Sequence, residues 1–496
     1  MHRVLPWERP HAIGTESLRR RSMRVLTREL DLGGRRGVDF FAAIRHDPCP
    51  WMLESADGRG LSLLGSDPLL RVGSKNGSAW IEEGGERRPL GAPGIEPLRQ
   101  VLSSIAMEAR PPGLPFVGGL VGFLGYDTVH AFERLPRTVA DDLELPDYEF
   151  LLPSYLVAVQ PEEARATVLV CAVDDEPEEA AQARLSELSR RFEAAPIRPD
   201  PPLSADRVGP GASISLPWES TYSQPEYETM VLAAKEYIAA GDIIQANLSQ
   251  RLSVPMAYDA FDLYERLRAI NPSPFAFTFD FGDYQLVSCS PERLIERRGR
   301  QLQTRPIAGT RRRGRGAEDV ALKGELLMSE KERAEHIMLV DLERNDLGRV
   351  CEFGTVRVDE LMTVESYSHV SHIVSNVVGT LRADRDSFDA IAATFPGGTI
   401  TGCPKIRCME IIDELERTQR GPYTGSAGYI GLDGDMDLNI IIRTFAITGG
   451  RAYIQVGGGV VADSQPAAEY EETLHKARAL LLAAQECPAA APVDRG

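Results

Sequence analysis

The sequence predicts an α+β protein in which strands predominate. Strand-length runs of apolar and β-branched residues recur through both halves of the chain, several of them joined by tight turns. The few clear helical patterns do not alternate with them as a parallel α/β fold would require. At 496 residues, with 43% hydrophobic and 26% charged residues, the chain has the make-up of a soluble globular protein. It is long enough for one very large core or several ordinary domains.

The N-terminal stretch Met1 to Leu30 is Arg-rich. It lacks the apolar run and small-residue cleavage pattern of a secretory signal. Glu8, Glu16 and Glu29 argue against an organelle transit peptide, so residues 1–40 read as a terminal extension. Gly118–Tyr126 is too glycine-rich for a helix and too apolar for a solvated loop. Two apolar runs between Leu152 and Val173, separated by Pro161-Glu162-Glu163, read as an antiparallel pair. Residues 41–173 therefore form a β-rich region. From Asp174 the composition shifts to a Glu-rich, briefly helical stretch and then to Pro196, Pro199, Pro201, Pro202 and Pro210. Residues 174–215 form a variable connection across which the two halves can still share a core.

In the rear region, 216–486, Ser223-Gln224-Pro225-Glu226 is a capping box, and Tyr227, Met230, Val231, Ala234 and Ile238 follow on one helical face, up to a stop at Gly241. Ile243 to Leu252 reads as a strand. Phe275–Phe281 and Leu286–Ser288 flank Gly282-Asp283 as a hairpin. One long amphipathic segment spans about Asp319 to Asp346. Ile440–Ile447 and Ala452–Val456 read as strands around Gly449-Gly450, and a last helix begins near Pro466. Residues 487–496 form a tail.

The net charge of -18 is spread along the chain and repels nucleic acid and anionic membranes. An anionic substrate would therefore need a locally electropositive site. No apolar stretch approaches the ~20 residues that span a bilayer. Seven cysteines without a CxxC pair suit a reducing compartment, and the expected location is cytoplasmic.

Glu332 and Glu335 lie three apart, which places both on one helical face, and Glu469 and Glu472 repeat the spacing. Carboxylates on two rigid helices suit Mg²⁺, which takes hard oxygen ligands and keeps waters; a solvated surface is the bland alternative. Gly397–Lys405, with donors at Thr399, Thr401 and Lys405 ahead of a helix near Ile406, can form an anion-binding nest or a structural turn. Arg443 projects from an apolar run and must meet solvent or a carboxylate, its own or a ligand's. His369 and His372 read as helix-face structural histidines or site residues. Glu292, after Ser290-Pro291, is placed as a general acid of restricted solvent access.

Assembled in order, these residues resemble the chorismate-utilising enzymes, especially the large components of aminodeoxychorismate synthase and anthranilate synthase. The most specific pieces are Arg305-Pro306-Ile307-Ala308-Gly309-Thr310, Ala334–His336 through Asn345-Asp346, Pro396–Lys405, and Glu469-Tyr470-Glu471-Glu472-Thr473. The resemblance implies two large facing antiparallel sheets surrounded by helices. It also implies Mg²⁺ held by Glu332, Glu335, Glu469 and Glu472 against the ring carboxylate of chorismate. Arg443, Tyr423, Lys476 and the backbone at Gly458 and Gly459 would receive the enolpyruvyl carboxylate. Glu292 would help the ring hydroxyl leave, with His372 and Thr399 lining the site. Ammonia would come from a separate glutamine amidotransferase subunit, because no cysteine here sits in a nucleophile elbow. Leu53-Glu54-Ser55 with Asn271-Pro272-Ser273-Pro274-Phe275 resembles a tryptophan site.

Gln245–Arg251, Ser288–Arg293 and Gly397–Lys405 favour amination at C4, giving 4-amino-4-deoxychorismate, and this reading ranks first. Ala308 and Tyr367-Ser368-His369-Val370 favour the alternative, anthranilate and pyruvate. Some aminodeoxychorismate synthases carry a catalytic Lys where Ala308 stands, and an alanine has no amine to attack the ring. A non-catalytic binding protein is the alternative from a different class.

Overall fold

The computed structural model describes residues 18–56, 58, 60–174, 176–203, 212–256, 258–312, 314, 316–366 and 370–487. Two sheets dominate, of 13 and 12 strands among the described residues. Each takes strands from both halves of the chain. In the larger, Trp51–Glu54 of the front half pairs with Phe275–Asp280 of the rear, and in the smaller Gly119–Leu124 pairs with Ser426–Gly431. All pairings within the sheets are antiparallel except one: Arg21–Asp31, which also pairs with Arg165–Val173, runs parallel to Ile105–Met107. The larger sheet therefore begins inside the first forty residues.

The sheets face each other across an apolar layer. Trp51, Leu63, Leu156, Phe277 and Phe279 of one sheet meet Val121, Phe123, Leu151, Ala427 and Tyr429 of the other, all buried. Each outer face is covered by helices, so the order is helices, sheet, sheet, helices, with an apolar cluster under each helical layer. This is the layered burial that amphipathic strands and helices demand.

Local signals read from the sequence account for much of this. Ser223 and Glu226 close a capping box on helix Gln224–Ala240, which ends at Gly241 in the left-handed region. The hairpin Phe275–Asp280 and Gln285–Ser290 pairs in register from Phe275↔Ser290 to Asp280↔Gln285. Two expectations change. The single amphipathic segment is two helices, Ala317–Met328 and Glu330–Gly348, because Ser329 leaves helical geometry and caps the second by accepting from the Glu332 N–H. The strand expected from Ile440 starts only at Thr444, because Arg443 takes φ 52°, outside strand geometry.

No helix among the described residues is long and apolar enough to cross a membrane. The described cysteines are all free thiols.

Candidate functional site

The site lies where the rear-half ends of both sheets come together. From the larger sheet come Gln245–Pro255 and Arg451–Val460, paired along their length with Asn247↔Gly459 and Leu248↔Gly458. From the smaller come Ile307–Arg312 and Val370–Thr380. Helix Pro466–Glu486 packs on the first pair and helix Glu330–Gly348 on the second.

Glu292 follows strand Gln285–Ser290 and is pinned by its backbone: its carbonyl accepts from the Ile440 N–H at 2.9 Å, and Ser290 Oγ donates to the Ile440 carbonyl at 2.5 Å. The side chain is buried. Desolvation pushes its pKa up to about 7, against the opposing effects of Thr399, Arg443, the Ile307 N–H and Lys476. A carboxyl so held carries its proton through much of the neutral range and can deliver it. Thr399 lies in the turn Gly398–Ile400, its hydroxyl beside the Glu292 carboxyl without completing a hydrogen bond of ordinary geometry. That turn is seated by Gly398, where a Cβ would stand 2.0 Å from Leu342 Cδ2 of the Glu330–Gly348 helix.

His372 is on a strand opposite Thr310, not on a helix. It is buried, and desolvation pulls its pKa down to about 4, so the ring is neutral at pH 7. Nδ1 lies 3.1 Å from the Gly309 carbonyl, which can only accept; Nε2 is then the unprotonated nitrogen. Ala308 is half-buried between these contacts: Ile307 donates to Glu292 on one side, and Gly309 accepts from His372 on the other.

Arg443 is half-buried by area and its guanidinium is desolvated, which pulls its pKa down. The groups that counter this are Cys289 and Glu292; no carboxylate forms an ion pair with it among the described residues. Its charge is therefore available to an anion. Tyr423 is buried, its hydroxyl 2.8 Å from where a Cβ on Gly457 would sit. At Gly458 a Cβ would meet Glu469 Oε2 at 3.3 Å, Glu472 Oε1 at 3.6 Å and Lys476 Nζ at 3.9 Å, so all three side chains face its bare backbone. Lys476 pairs with Glu472 at 2.8 Å and donates to the Gly457 carbonyl at 2.8 Å. Gly459 faces Gln245 instead.

On the other helix, Glu332 Oε2 comes within 2.8 Å of a Cβ position on Gly309. Glu335 is half-buried on the same helix. Among the described residues no three His, Cys, Asp or Glu side chains gather closely enough to enclose a metal ion. Mg²⁺, however, is commonly held by one or two carboxylates plus water and substrate oxygens. Two glutamates facing one glycine fit that mode, and a closed protein cage does not.

The threonine–glycine nest offers less than its sequence suggests. Thr401 donates to the Gly397 carbonyl at 2.9 Å, and Lys405 pairs with Asp346 at 2.6 Å and donates to the Thr394 carbonyl. Of its three expected donors, Thr399 alone stays at the site.

The segments resembling a tryptophan site are brought together: Leu53 pairs with Phe277 and Glu54 with Ala276, and the Ala56 N–H donates to the Ser273 carbonyl at 3.0 Å. Asn271 Nδ2 lies 3.4 Å from Ser273 Oγ. Pro272 and Pro274 complete the loop into Phe275, whose ring lies under Arg293. The Glu54 carboxylate is buried and accepts from Arg268 Nε and Nη2, each at 3.0 Å, and from Tyr264 Oη at 2.6 Å. Tyr367, Ser368 and His369 lie outside the described residues, as does the end of the C-terminal tail.

Residues 65–482 match the family described as chorismate binding enzyme. The chain belongs to that family. It is 43% identical over 440 residues to aminodeoxychorismate synthase component 1 of Bacillus subtilis, covering 88% of this chain and 92% of that protein. It is 47% identical over 393 residues to anthranilate synthase component 1 of Thermus thermophilus, covering 79% and 83%. Anthranilate synthase component I from Streptococcus pneumoniae superposes with a TM-score of 0.75 at 35% identity, covering 85% of this chain and 92% of that one.

In this chorismate-binding enzyme the sequence did not reveal Arg420. Its buried guanidinium pairs with Glu416 at 2.7 Å, donates to the Asn247 and Ile400 carbonyls, and lies over the Tyr126 and Tyr423 rings. It ties together the backbones beside Thr399, Tyr423 and Gly459. Its place three residues before Tyr423 was the only local signal.

Proposed function

We propose that this chain converts chorismate and ammonia to anthranilate and pyruvate as the large component of an anthranilate synthase. The observation that carries this choice is Ala308. It sits between the backbone groups that contact Glu292 and His372, at the position where some aminodeoxychorismate synthases carry a lysine, and it has no amine. With no lysine to form a covalent adduct there, ammonia itself must be the nucleophile. The anthranilate synthases of Thermus thermophilus and Streptococcus pneumoniae support the same reading. Gln245–Arg251, Ser288–Arg293 and Gly397–Lys405 favour C4 amination, and the Bacillus subtilis relative keeps that product as the second reading.

Each site residue has a role in this chemistry. Arg443, with Tyr423 and Lys476 beside the Gly457–Gly459 backbone, orients the enolpyruvyl carboxylate. Glu292 gives its proton to the departing ring hydroxyl, which leaves as water while nitrogen bonds at C2. Neutral His372 lines the ring and Thr399 steadies the acid. The C2 proton is then lost as the C3–O bond breaks, the departing enolpyruvate takes up a proton to become pyruvate, and the ring becomes aromatic. Glu469 and Glu472 beside Gly458, with Glu332 and Glu335 of the other helix, would hold Mg²⁺ together with water and substrate oxygens, and Mg²⁺ when bound supplies positive charge for the ring carboxylate. Fixed donors then serve a dianion inside a protein of charge -18. A separate glutamine amidotransferase subunit supplies ammonia, and the Leu53–Ser55 and Asn271–Phe275 segments form a tryptophan site.

Incubation of the chain with chorismate, Mg²⁺ and either ammonium or glutamine tests this. Fluorescent anthranilate should form with ammonium and not with glutamine until an amidotransferase subunit is added. Folded protein that leaves chorismate untouched under both conditions overturns the reading.

A further inference from the structure

Tyr423 forms one wall of a small cavity that the proposed chemistry does not use. Arg251, Arg420, Ala446, Tyr453 and Gln455 are among its other walls, and its volume of about 20 Å³ has room for one molecule the size of water or ammonia. Gln455 is buried on strand Arg451–Val460, and its neighbours fix the orientation of its amide. Ser249 Oγ donates its one proton to Glu416 Oε1 at 2.8 Å. It can therefore only accept from Gln455, at 2.9 Å, which turns the amide nitrogen towards Ser249. Gln455 Oε1 is left with no hydrogen-bond partner among the described residues. A buried acceptor with unused bonding capacity calls for an explanation. The nearby guanidiniums do not supply one: Arg420 is committed to Glu416 and to the Asn247 and Ile400 carbonyls, and Arg251 pairs with Asp142.

The cavity adjoins the site. Gln455, Gly457 and Gly459 alternate onto one face of their strand in steps of about 7 Å, and the two glycines leave that face bare. At Gly457 a Cβ would meet Tyr423 Oη and Asn247 Oδ1, each at 2.8 Å, and the Leu248 carbonyl at 2.6 Å. Asn247 Oδ1 is a second buried oxygen without a partner among the described residues. Both unpartnered atoms are acceptors, which suits a small N–H donor and repels an anion. The two guanidiniums in the walls disfavour a cation, ammonium included. We propose that the cavity holds ammonia as the neutral nucleophile, with Gln455 Oε1 accepting from it, beside the Gly457 backbone that borders the ring. The inference rests on ammonia being the nucleophile of the proposed reaction.

The test is steady-state kinetics on the full chain, followed as chorismate consumption so that either aminated product serves. Ammonium is varied at saturating chorismate and Mg²⁺, and chorismate at saturating ammonium, in wild type, Gln455→Met and Ala446→Leu. Gln455→Met removes the acceptor and keeps the volume. Ala446→Leu fills the cavity from strand Thr444–Thr448 and keeps the acceptor. Loss of one neutral hydrogen bond should raise KM for ammonium about 3- to 10-fold in Gln455→Met, and Ala446→Leu should move it in the same direction. In both, KM for chorismate should stay at the wild-type value and kcat should recover at saturating ammonium. Each variant tests the cavity by itself if the other does not fold. An unmoved KM for ammonium in a folded variant, or a loss of kcat that saturating ammonium does not restore, overturns the proposal and makes the cavity a structural one. Wild type that consumes no chorismate with ammonium refutes the proposed reaction and this inference with it, whereas wild-type turnover beside unmoved variants refutes the inference alone.

Discussion

Replacing Glu292 with Gln should cut turnover by about 10²- to 10⁴-fold and make the protein more stable at alkaline pH. The side chain is buried and its pKa is pushed up to about 7 from the ordinary 4.5, chiefly by desolvation. The folded state therefore holds this proton more tightly than the unfolded chain does. The stability it contributes is fully present below about pH 4.5 and is lost as pH rises through about 7. At about 1.4 kcal/mol for each pH unit between those values, ionising Glu292 in place costs about 3 kcal/mol, an order-of-magnitude figure. Gln has nearly the same shape and no charge to desolvate, so the variant escapes that cost. Loss of a general acid lowers rate by about 10²- to 10⁴-fold, or about 3–5 kcal/mol of barrier. Thermal melts of both proteins at pH 5 and pH 8, with chorismate consumption at each pH, measure the two effects. The melting temperature of the variant relative to wild type should be higher at pH 8 than at pH 5. An equal difference at both pH values, or a variant that retains wild-type turnover, would refute the assignment of a buried, proton-holding acid.

The remaining predictions concern binding. Arg443→Ala removes a desolvated charge and should raise KM for chorismate far more than it lowers kcat, at a cost of about 2–5 kcal/mol, read from steady-state kinetics. Glu335→Gln and Glu472→Gln should each weaken Mg²⁺-dependent turnover in a Mg²⁺ titration while circular dichroism stays native; titrations identical to wild type in both would remove these residues from the metal site. Gly458→Ala places a methyl 3.3 Å from Glu469 Oε2 and 3.6 Å from Glu472 Oε1, so it should impair Mg²⁺ response with little change in melting temperature. Gly398→Ala, by contrast, forces a methyl to 2.0 Å from Leu342 and should destabilise the fold by about 1–3 kcal/mol or more.

What the sequence disclosed and what it withheld divide along a physical line. The Ser223–Glu226 cap, the stop at Gly241 and the Phe275–Ser290 hairpin depend on residues close in the chain, and each was legible as spacing. The glutamate pairs were legible for the same reason, since three residues on a helix share a face. Their surroundings were not: Gly458 faces Glu469 and Glu472, and Gly309 faces Glu332, through sheet pairings far apart in sequence. The spacing makes Lys405 an anion donor, but Asp346, 59 residues away in the chain, holds it. Arg420 was hidden because its partners at Asn247 and Ile400 come from other elements. The break at Ser329 could have been read, since a serine followed three residues later by Glu332 is a capping signature. Arg443 could not, because an apolar run gives no sign that its last residue turns into the left-handed region.

The most direct test of the central claim is the fate of nitrogen. Wild-type protein is incubated with chorismate, Mg²⁺ and ¹⁵N-ammonium, and the products are resolved by mass spectrometry and ¹⁵N NMR. The account predicts ¹⁵N-anthranilate and pyruvate in equal amounts, with the nitrogen on the ring carbon beside the carboxylate. Accumulation of ¹⁵N-labelled 4-amino-4-deoxychorismate without pyruvate would contradict it.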